Sequence, residues 1–437
     1  MNLTGDYIFN IKNYYIKNID DYYVVLFKDT HKYIVLVKEK LEWLNALINK
    51  KSIGEVFLNY DLKNKNKEYL DFLSDVYWAQ NKGKKKKPSD EFAIKYDMTF
   101  KCNTNCAHCF LPSFPNMNEL SIEEWKFISD KILNSLDYKP ALAISGGEAL
   151  LFNDKVKQLI DYVRPRVDDI TLLTNGFIFS NWIDNNDKEN IDFYAKNIDY
   201  FQISLDGFDE VTFDSIRGKG NFRKVVNTIK YLNNIGKPLC LHTTISKNNM
   251  NAIEENFVDF VTKYNLYKNN INHFSFSVVR ALGNGKTMEE KGETCSTLEY
   301  ELFLSRLQKR INEVYPEKFP DNDDIISSTI CSAGTQLTVS PNGMCYLCGL
   351  VSDDPLCNIL VDDIEEIKAK LSKLHKDLDQ KYIEECNDCE LKGFCFGRCR
   401  VNNKMETGSY TKVKCNDDVK EEFYRSIIRE NTLGLPY

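Results

Sequence analysis

At 437 residues, with 43% hydrophobic and 28% charged residues and a net charge of −7, the chain has the make-up of a soluble protein of about two or three domains. That charge gives no reason to expect a nucleic-acid partner. No run of 18 apolar residues and no basic-then-apolar start is present, so neither a membrane span nor a signal peptide is expected, and the expected compartment is the cytoplasm. Reducing thiol pools there keep disulfides open, so the 14 cysteines point to metal.

In chain order, the first zone (1–85) opens with two apolar runs, Tyr22 to Phe27 and Tyr33 to Val37, which predict a hairpin or neighbouring strands. Helical spacing follows at Leu41, Leu44, Leu47 and Ile48. A Ser52/Glu55 capping box starts a second helix, and Tyr69, Phe72, Leu73, Val76 and Tyr77 mark one face of a third. Strands followed by three short helices fit a winged-helix-like module. The Lys84–Lys87 run and Pro88 read as a solvated linker.

The second zone (92–286) alternates strands and helices. Its expected strands are 96–100, 141–144, 170–173, 200–205, 239–245 and 274–279, with a Ser121/Glu124 capping box opening the first helix. This pattern predicts an α/β fold with parallel strands and crossover helices, as a partial (β/α)6 barrel whose chemistry gathers at the C-terminal strand ends. The third zone (287–437) begins with a helix bearing Leu302, Leu304, Leu307 and Ile311. A hairpin turning at Pro341-Asn342-Gly343, a cysteine-dense stretch and a helical tail from Val419 to Thr432 follow.

Cys102, Cys106 and Cys109 form a C-x3-C-x2-C loop just after the first of the parallel strands. Three thiolates can hold three irons of a 4Fe–4S cube and leave the fourth open; read alone, a zinc site completed by His108 is the alternative. Polar tips then end successive strands: Ser145-Gly146-Gly147-Glu148, Thr174-Asn175-Gly176 and Ser204-Leu205-Asp206-Gly207, with Arg217-Gly218 beyond.

These motifs resemble the radical S-adenosylmethionine superfamily. The resemblance implies that the open iron chelates S-adenosylmethionine, with Gly146, Gly147 and Glu148 at its amino group and Ser204 and Arg217 at its carboxylate or ribose. The backbone by His108 and Phe110 is expected near the adenine. Thr174, Asn175 and Asp206 are read as cofactor-site residues, with loop ordering as the alternative for Thr174 and Asp206.

A second set reads Cys331, Gly343, Cys348, then Cys386-x2-Cys389-x5-Cys395-x3-Cys399 and Cys415. A zinc ribbon is the bland reading of such pairs. Seven cysteines in this order resemble the SPASM extension of the same superfamily, which implies two auxiliary 4Fe–4S clusters. Cys331, Cys348 and Cys399 would hold the nearer one, and Cys386, Cys389, Cys395 and Cys415 the farther one. Sulfatase maturases of this family carry a further cysteine before the first position and an aspartate after the second. Here residues 321–330 contain no cysteine and Gly349 follows Cys348. Cys240 reads as packing, and Cys295, Cys345 or Cys357 could supply a missing fourth ligand.

The first zone resembles the peptide-recognition domain of ribosomal-peptide modification systems, in which an edge strand beside a helix captures a leader peptide by β-augmentation. The combined resemblance, to sactipeptide- and ranthipeptide-type maturases, implies a thioether joining a substrate cysteine to a carbon. A flavodoxin or ferredoxin is the expected electron donor. A carbon–carbon crosslink, another peptide or protein target, and a zinc-stabilised binding protein are the alternatives.

Overall fold

The computed structural model describes residues 4–80, 91–111, 118–268, 272–315, 333–349, 354–395 and 397–433. The chain divides into two compact units: residues 1–89, 304–331 and 379–437 form one, and residues 90–303 with 332–378 form the other. The third zone read from the sequence is therefore shared between them. The segment 332–378 continues the parallel sheet of the second zone, and the segment 379–437 packs with the first.

The first unit holds an antiparallel sheet in the order β1 (Tyr14–Ile19), β2 (Tyr22–Phe27), β3 (Lys32–Val37), followed by α1 (Lys38–Ile48), α2 (Ile53–Asn59) and α3 (Asn66–Gln80). β1 was not legible in the sequence, because it is an edge strand of mostly half-exposed residues without clean alternation. Side chains alternate across β2, and both faces are covered. Val25 and Phe27 join Trp43, Leu44, Phe72 and Val76 of the helices, whereas Val24 and Leu26 meet Leu391, Phe394, Tyr424 and Ile427. The Ser52/Glu55 capping box forms as expected. Tyr77, expected in the α3 core face, is 40% exposed along with Leu70 at 53%, because the buried stripe runs through Tyr69, Phe72, Leu73, Val76 and Ala79.

The second unit is a nine-stranded sheet. Six parallel strands, β4 (Ala93–Asp97), β5 (Leu142–Ser145), β6 (Ile170–Thr174), β7 (Tyr200–Ser204), β8 (Leu239–Ile245) and β9 (His273–Val278), lie in sequence order. β10 (Gln336–Val339) joins β4 in parallel, and β11 (Met344–Tyr346) and β12 (Cys357–Asn358) extend it antiparallel. The expected hairpin thus becomes part of the main sheet. The first parallel strand was expected at 96–100 but spans Ala93–Asp97, where Ile94 and Tyr96 are buried on one face and Tyr96 packs against Trp125 and Ser129.

Helices α4 (Ile122–Leu133), α5 (Asn153–Val163), α6 (Phe177–Asp184), α7 (Lys188–Asn197), α8 (Glu210–Arg217), α9 (Asn221–Asn234), α10 (Met250–Lys263), α11 (Gly285–Glu290), α12 (Thr297–Val314) and α13 (Ile364–Asp377) complete the order up to the last segment. That segment carries α14 (Arg400–Thr407) and α15 (Asp417–Leu433). Apolar residues such as Leu142, Ile144, Ile170, Leu172, Phe201 and Ile203 are fully buried, and each contributes about 1.5–3 kcal/mol. Among the described residues no helix is long and apolar enough to cross a membrane.

Candidate functional site

The loop after β4 carries Cys102, Cys106 and Cys109, and the C-terminal ends of the parallel strands clasp it from several sides. From the end of β5, Gly147 N–H donates to the Thr99 carbonyl (2.7 Å) and Glu148 N–H to the Lys101 carbonyl (2.9 Å). A side chain has no room in this approach. A Cβ on Gly146, whose φ is +133°, would lie 2.5 Å from the Thr99 oxygen, and one on Gly147 would collide with the Lys101 carbonyl. The two glycines expected at a ligand therefore press the Cys loop against the sheet.

Glu148 is 1% exposed. Its carboxylate accepts from the Thr174 hydroxyl (3.0 Å), the Asn175 N–H (2.9 Å) and the Leu150 N–H (3.3 Å). Burial pushes its carboxyl up, and those three donors offset part of that. Thr174 thus orders the Glu148 loop, and the Asn175 amide donates to Asn103 (2.7 Å) inside the Cys loop.

Ser204 ends β7 half-buried. Two residues on, fully buried Asp206 binds the Arg217 guanidinium, accepts from Thr244 N–H (2.8 Å) and lies 3.2 Å from His108 Nε2. Burial would raise the Asp206 carboxyl, but Arg217, His108 and the Thr244 N–H outweigh it and hold it below the usual range. Burial lowers the His108 pKa, with the Asp206 charge opposing. The Thr104 hydroxyl in turn donates to the Arg217 carbonyl (3.0 Å). Asp206 and Arg217 therefore tie the Cys loop to β7 and α8. Phe110 is half-buried.

Sequence reasoning missed the clasp beyond β9. Asn284 N–H donates to the Cys109 carbonyl (2.8 Å) and its amide to the Cys106 carbonyl (2.9 Å). Gly283, at φ +52°, comes so close to the Cys109 carbonyl that a Cβ would clash. Leu282-Gly283-Asn284 is a glycine tip after a strand, the same signal that marked the other three. Asn249 was also missed; its amide donates to the Asp206 carbonyl (2.9 Å).

The thiols suit a cationic group. Cys102 keeps part of its surface open, yet the loop packed around its thiol, with Glu148, Cys106 and Cys109 adding negative charge, pushes it up to about 11. Burial likewise raises Cys109. Neighbouring thiols that resist ionisation together become thiolates when metal binds. Among the described residues no three His, Cys, Asp or Glu side chains are drawn in to hold a single metal ion. Beside the loop a cavity of about 310 Å³ is lined by Ala107, His108, Ser215, Ile216, Ser246, Asn248 and Met288.

Residues 96–261 match the family model described as the radical SAM superfamily, and this stretch contains the three cysteines, every strand tip through β8 and the Asp206–Arg217 pair. The chain is a radical SAM enzyme. It is 27% identical over 348 residues to the antilisterial bacteriocin subtilosin biosynthesis protein AlbA of Bacillus subtilis, covering 75% of this chain and 72% of that protein. Its fold also resembles that of solved structures. The anSMEcpe structure with bound AdoMet and the Kp18Cys peptide has a TM-score of 0.61 at 21% identity, over 77% of this chain and 97% of that one. Streptococcus suis SuiB bound to its precursor peptide SuiA has a TM-score of 0.57 at 15% identity, over 95% and 98%. Radical SAM membership implies S-adenosylmethionine and a 4Fe–4S cluster.

The second cysteine set divides between the units. Cys386, Cys389, Cys395 and Cys415 all lie in the first unit, where burial raises Cys386, Cys395 (to about 11) and Cys415, and neighbouring thiols of the set raise each further. The four thiols are thus neighbours that suit one cationic group. Cys331 lies outside the described residues, Cys348 belongs to the second unit and Cys399 to the first. Cys345 and Cys357 are buried cross-strand partners on β11 and β12. They share the sheet face of Val339, which packs toward the helices. Gly349 has Lys95 beside it; a Cβ there would stand 3.1 Å from Nζ, which pairs with Asp97 at 2.9 Å. Cys240, expected as buried packing, is only half-buried on β8.

Proposed function

We propose that this radical SAM enzyme is a SPASM-type maturase that installs a thioether in a ribosomally made precursor peptide, between a cysteine sulfur and a carbon. The observation that carries the reading is the Cys102–Cys109 loop, clasped by the ends of β5, β6, α8 and β9 beside the 310 Å³ cavity. When bound, S-adenosylmethionine and a cluster on Cys102, Cys106 and Cys109 supply a 5′-deoxyadenosyl radical that removes a hydrogen from the peptide.

The chain's own residues do the rest. Asn175, Arg217, Asn284 and the Gly146-Gly147 backbone hold the loop rigid. His108, Phe110 and the cavity walls receive the adenosyl group. Gly146, Gly147 and Glu148 border the amino end of the cofactor, and Ser204 and Arg217 its carboxylate or ribose. Thr174 and Asp206 keep those groups in position.

In this reading the six parallel units form a partial barrel, and the first 85 residues a winged-helix-like leader-binding module. The free edge of β3 lies beside α3, which exposes Leu70 and Tyr77 on one face, a surface that suits an added strand with apolar anchors. Cys331, Cys348 and Cys399 hold the nearer auxiliary cluster, and Cys386, Cys389, Cys395 and Cys415 the farther one. A flavodoxin or ferredoxin supplies electrons. Similarity to a subtilosin biosynthesis protein over three quarters of the chain supports a peptide substrate.

The test is anaerobic incubation of the reconstituted enzyme with S-adenosylmethionine, reductant and a cysteine-containing precursor peptide encoded beside the gene. Loss of about 2 Da, with the cysteine no longer alkylatable, is the expected product. The same mass loss with a free cysteine would replace the thioether by a carbon–carbon crosslink.

A further inference from the structure

The module proposed to bind the leader is not a separate body on a linker. The β2 face carrying Val24 and Leu26 shares one core with Leu391, Phe394, Tyr424 and Ile427, and Cys389 and Cys395 pack against that core. Two residues of the turn between β2 and β3 reach further. Lys28 Nζ donates to the Glu390 carbonyl, next to Cys389, and lies 5.7 Å from the Phe394 ring centre. His31 meets Phe394 edge-on with centroids 6.0 Å apart. Its ring also fills the space over Gly393, where a Cβ would stand 2.6 Å from the imidazole, and Gly393 has φ +83°. His31 itself takes the left-handed conformation, φ +54°, which is uncommon for a residue other than glycine. On the other side of the loop Lys420 pairs with Glu390 at 3.1 Å, and Arg425 joins α15 to Asp20 at 2.7 Å.

We infer that Lys28 and His31 are positioning residues for the Cys389–Cys395 loop, so that the peptide-recognition sheet shapes and electrostatically tunes the farther cluster. The inference rests on the reading that Cys386, Cys389, Cys395 and Cys415 hold such a cluster. Reduction adds an electron to an already anionic cluster, and a fixed ammonium beside one thiolate ligand favours the reduced state. Net charge and solvent exposure are two of the controls on cluster potential. The sheet supplies the charge through Lys28 and excludes water through Val24, Leu26 and His31. The leader edge, β3, pairs residue by residue with β2, so peptide recognition and the electron route share one small sheet.

The test uses full-length protein, reconstituted anaerobically, as wild type, Lys28→Arg, Lys28→Met and Lys65→Met. Lys65 pairs with Glu39 on the exposed surface of the same module and is the charge control. Iron and sulfide are counted, and each cluster is titrated against potential while its EPR signal is followed. The expected result is about 12 irons per chain in all four proteins, with the midpoint of one cluster moved to a more negative potential in Lys28→Met alone. Coincident midpoints in wild type and Lys28→Met, or an equal shift in Lys65→Met, would overturn the inference. If Lys28→Met loses about a third of its iron, Lys28→Arg decides: retention supports a role for the cation, and equal loss overturns it. A Cys386→Ala/Cys389→Ala variant separates this from the underlying reading, since unchanged iron there removes the farther cluster itself and the inference with it.

Discussion

Replacing Gly147 by alanine adds one methyl group, and the structure directs it at the Lys101 carbonyl. Gly147 is not among the residues with positive φ, so the cost is steric rather than conformational. Relieving the clash means moving the Cys loop away from β5, which stretches the 2.7 Å bond to Thr99 and the 2.9 Å bond to Lys101. Overpacking of this kind costs about 1–3 kcal/mol, and each weakened hydrogen bond about 0.5–1.5 kcal/mol. The two costs are alternatives along one movement, so a net penalty of about 2–3 kcal/mol is expected on the ordered loop. That corresponds to a roughly 30- to 150-fold drop in its population. The assay is iron retention against a chelator together with anaerobic 5′-deoxyadenosine formation from S-adenosylmethionine. Gly5→Ala is the control, since a Cβ there meets nothing closer than 4.0 Å and the backbone is not left-handed. Gly147→Ala should lose iron faster and form the nucleoside more than tenfold more slowly. Rates within twofold of wild type would refute the claim that the Gly-Gly approach builds the Cys loop.

Asp206→Asn leaves the buried Arg217 without its counter-charge, and calorimetry should show a loss of about 3–5 kcal/mol. The folded Asp206 carboxyl sits below its unfolded value, so its contribution is complete above about pH 4 and is lost as pH falls through the lower folded value. Acid unfolding of Asp206→Asn should therefore be less steep than that of wild type below about pH 4. Cys345→Ala should keep all its iron, about 12 per chain, because that buried thiol is paired across the sheet with Cys357; a loss of four irons would make it a cluster ligand. Deleting residues 4–80 uncovers Leu391, Phe394, Tyr424 and Ile427, worth about 6–12 kcal/mol at 1.5–3 kcal/mol each. The truncated chain should bind a hydrophobic dye and lose about a third of its iron, and full iron retention would show the module to be detachable.

The parts of this molecule written in local chemistry were legible in the sequence. The Ser52/Glu55 and Ser121/Glu124 boxes start α2 and α4 as read, and strands β5 to β9 fall within a residue or two of expectation because their apolar residues are continuous or alternate cleanly. The Cys loop and its glycine and carboxylate tips were legible for the same reason: each lies at a strand end. What the residues do there was less legible. Glu148 with Thr174 and Asp206 with Arg217 are bound to each other, pairings that no motif announces, and burial is a property of the fold rather than of the motif. Long-range packing was hidden altogether. Nothing in Tyr22 to Phe27 says that its second face is covered by a segment more than 360 residues away, and the Lys-rich run suggested separation where apolar matching between Val24, Leu26 and Phe394 joins the two. The addition of β10 to β4 was equally hidden, since a hairpin signal fixes its own pairing and not its neighbour.

The central claim, that Cys102, Cys106 and Cys109 hold the group at which S-adenosylmethionine is cleaved, is tested most directly by anaerobic 5′-deoxyadenosine release. Reconstituted wild type and the Cys102→Ala/Cys106→Ala/Cys109→Ala variant are compared with the same reductant. The account predicts steady release from wild type and none above background from the variant, which should still carry about 8 irons on its auxiliary cysteines. Equal release from both proteins, or none from a wild type that holds its full iron, would contradict it.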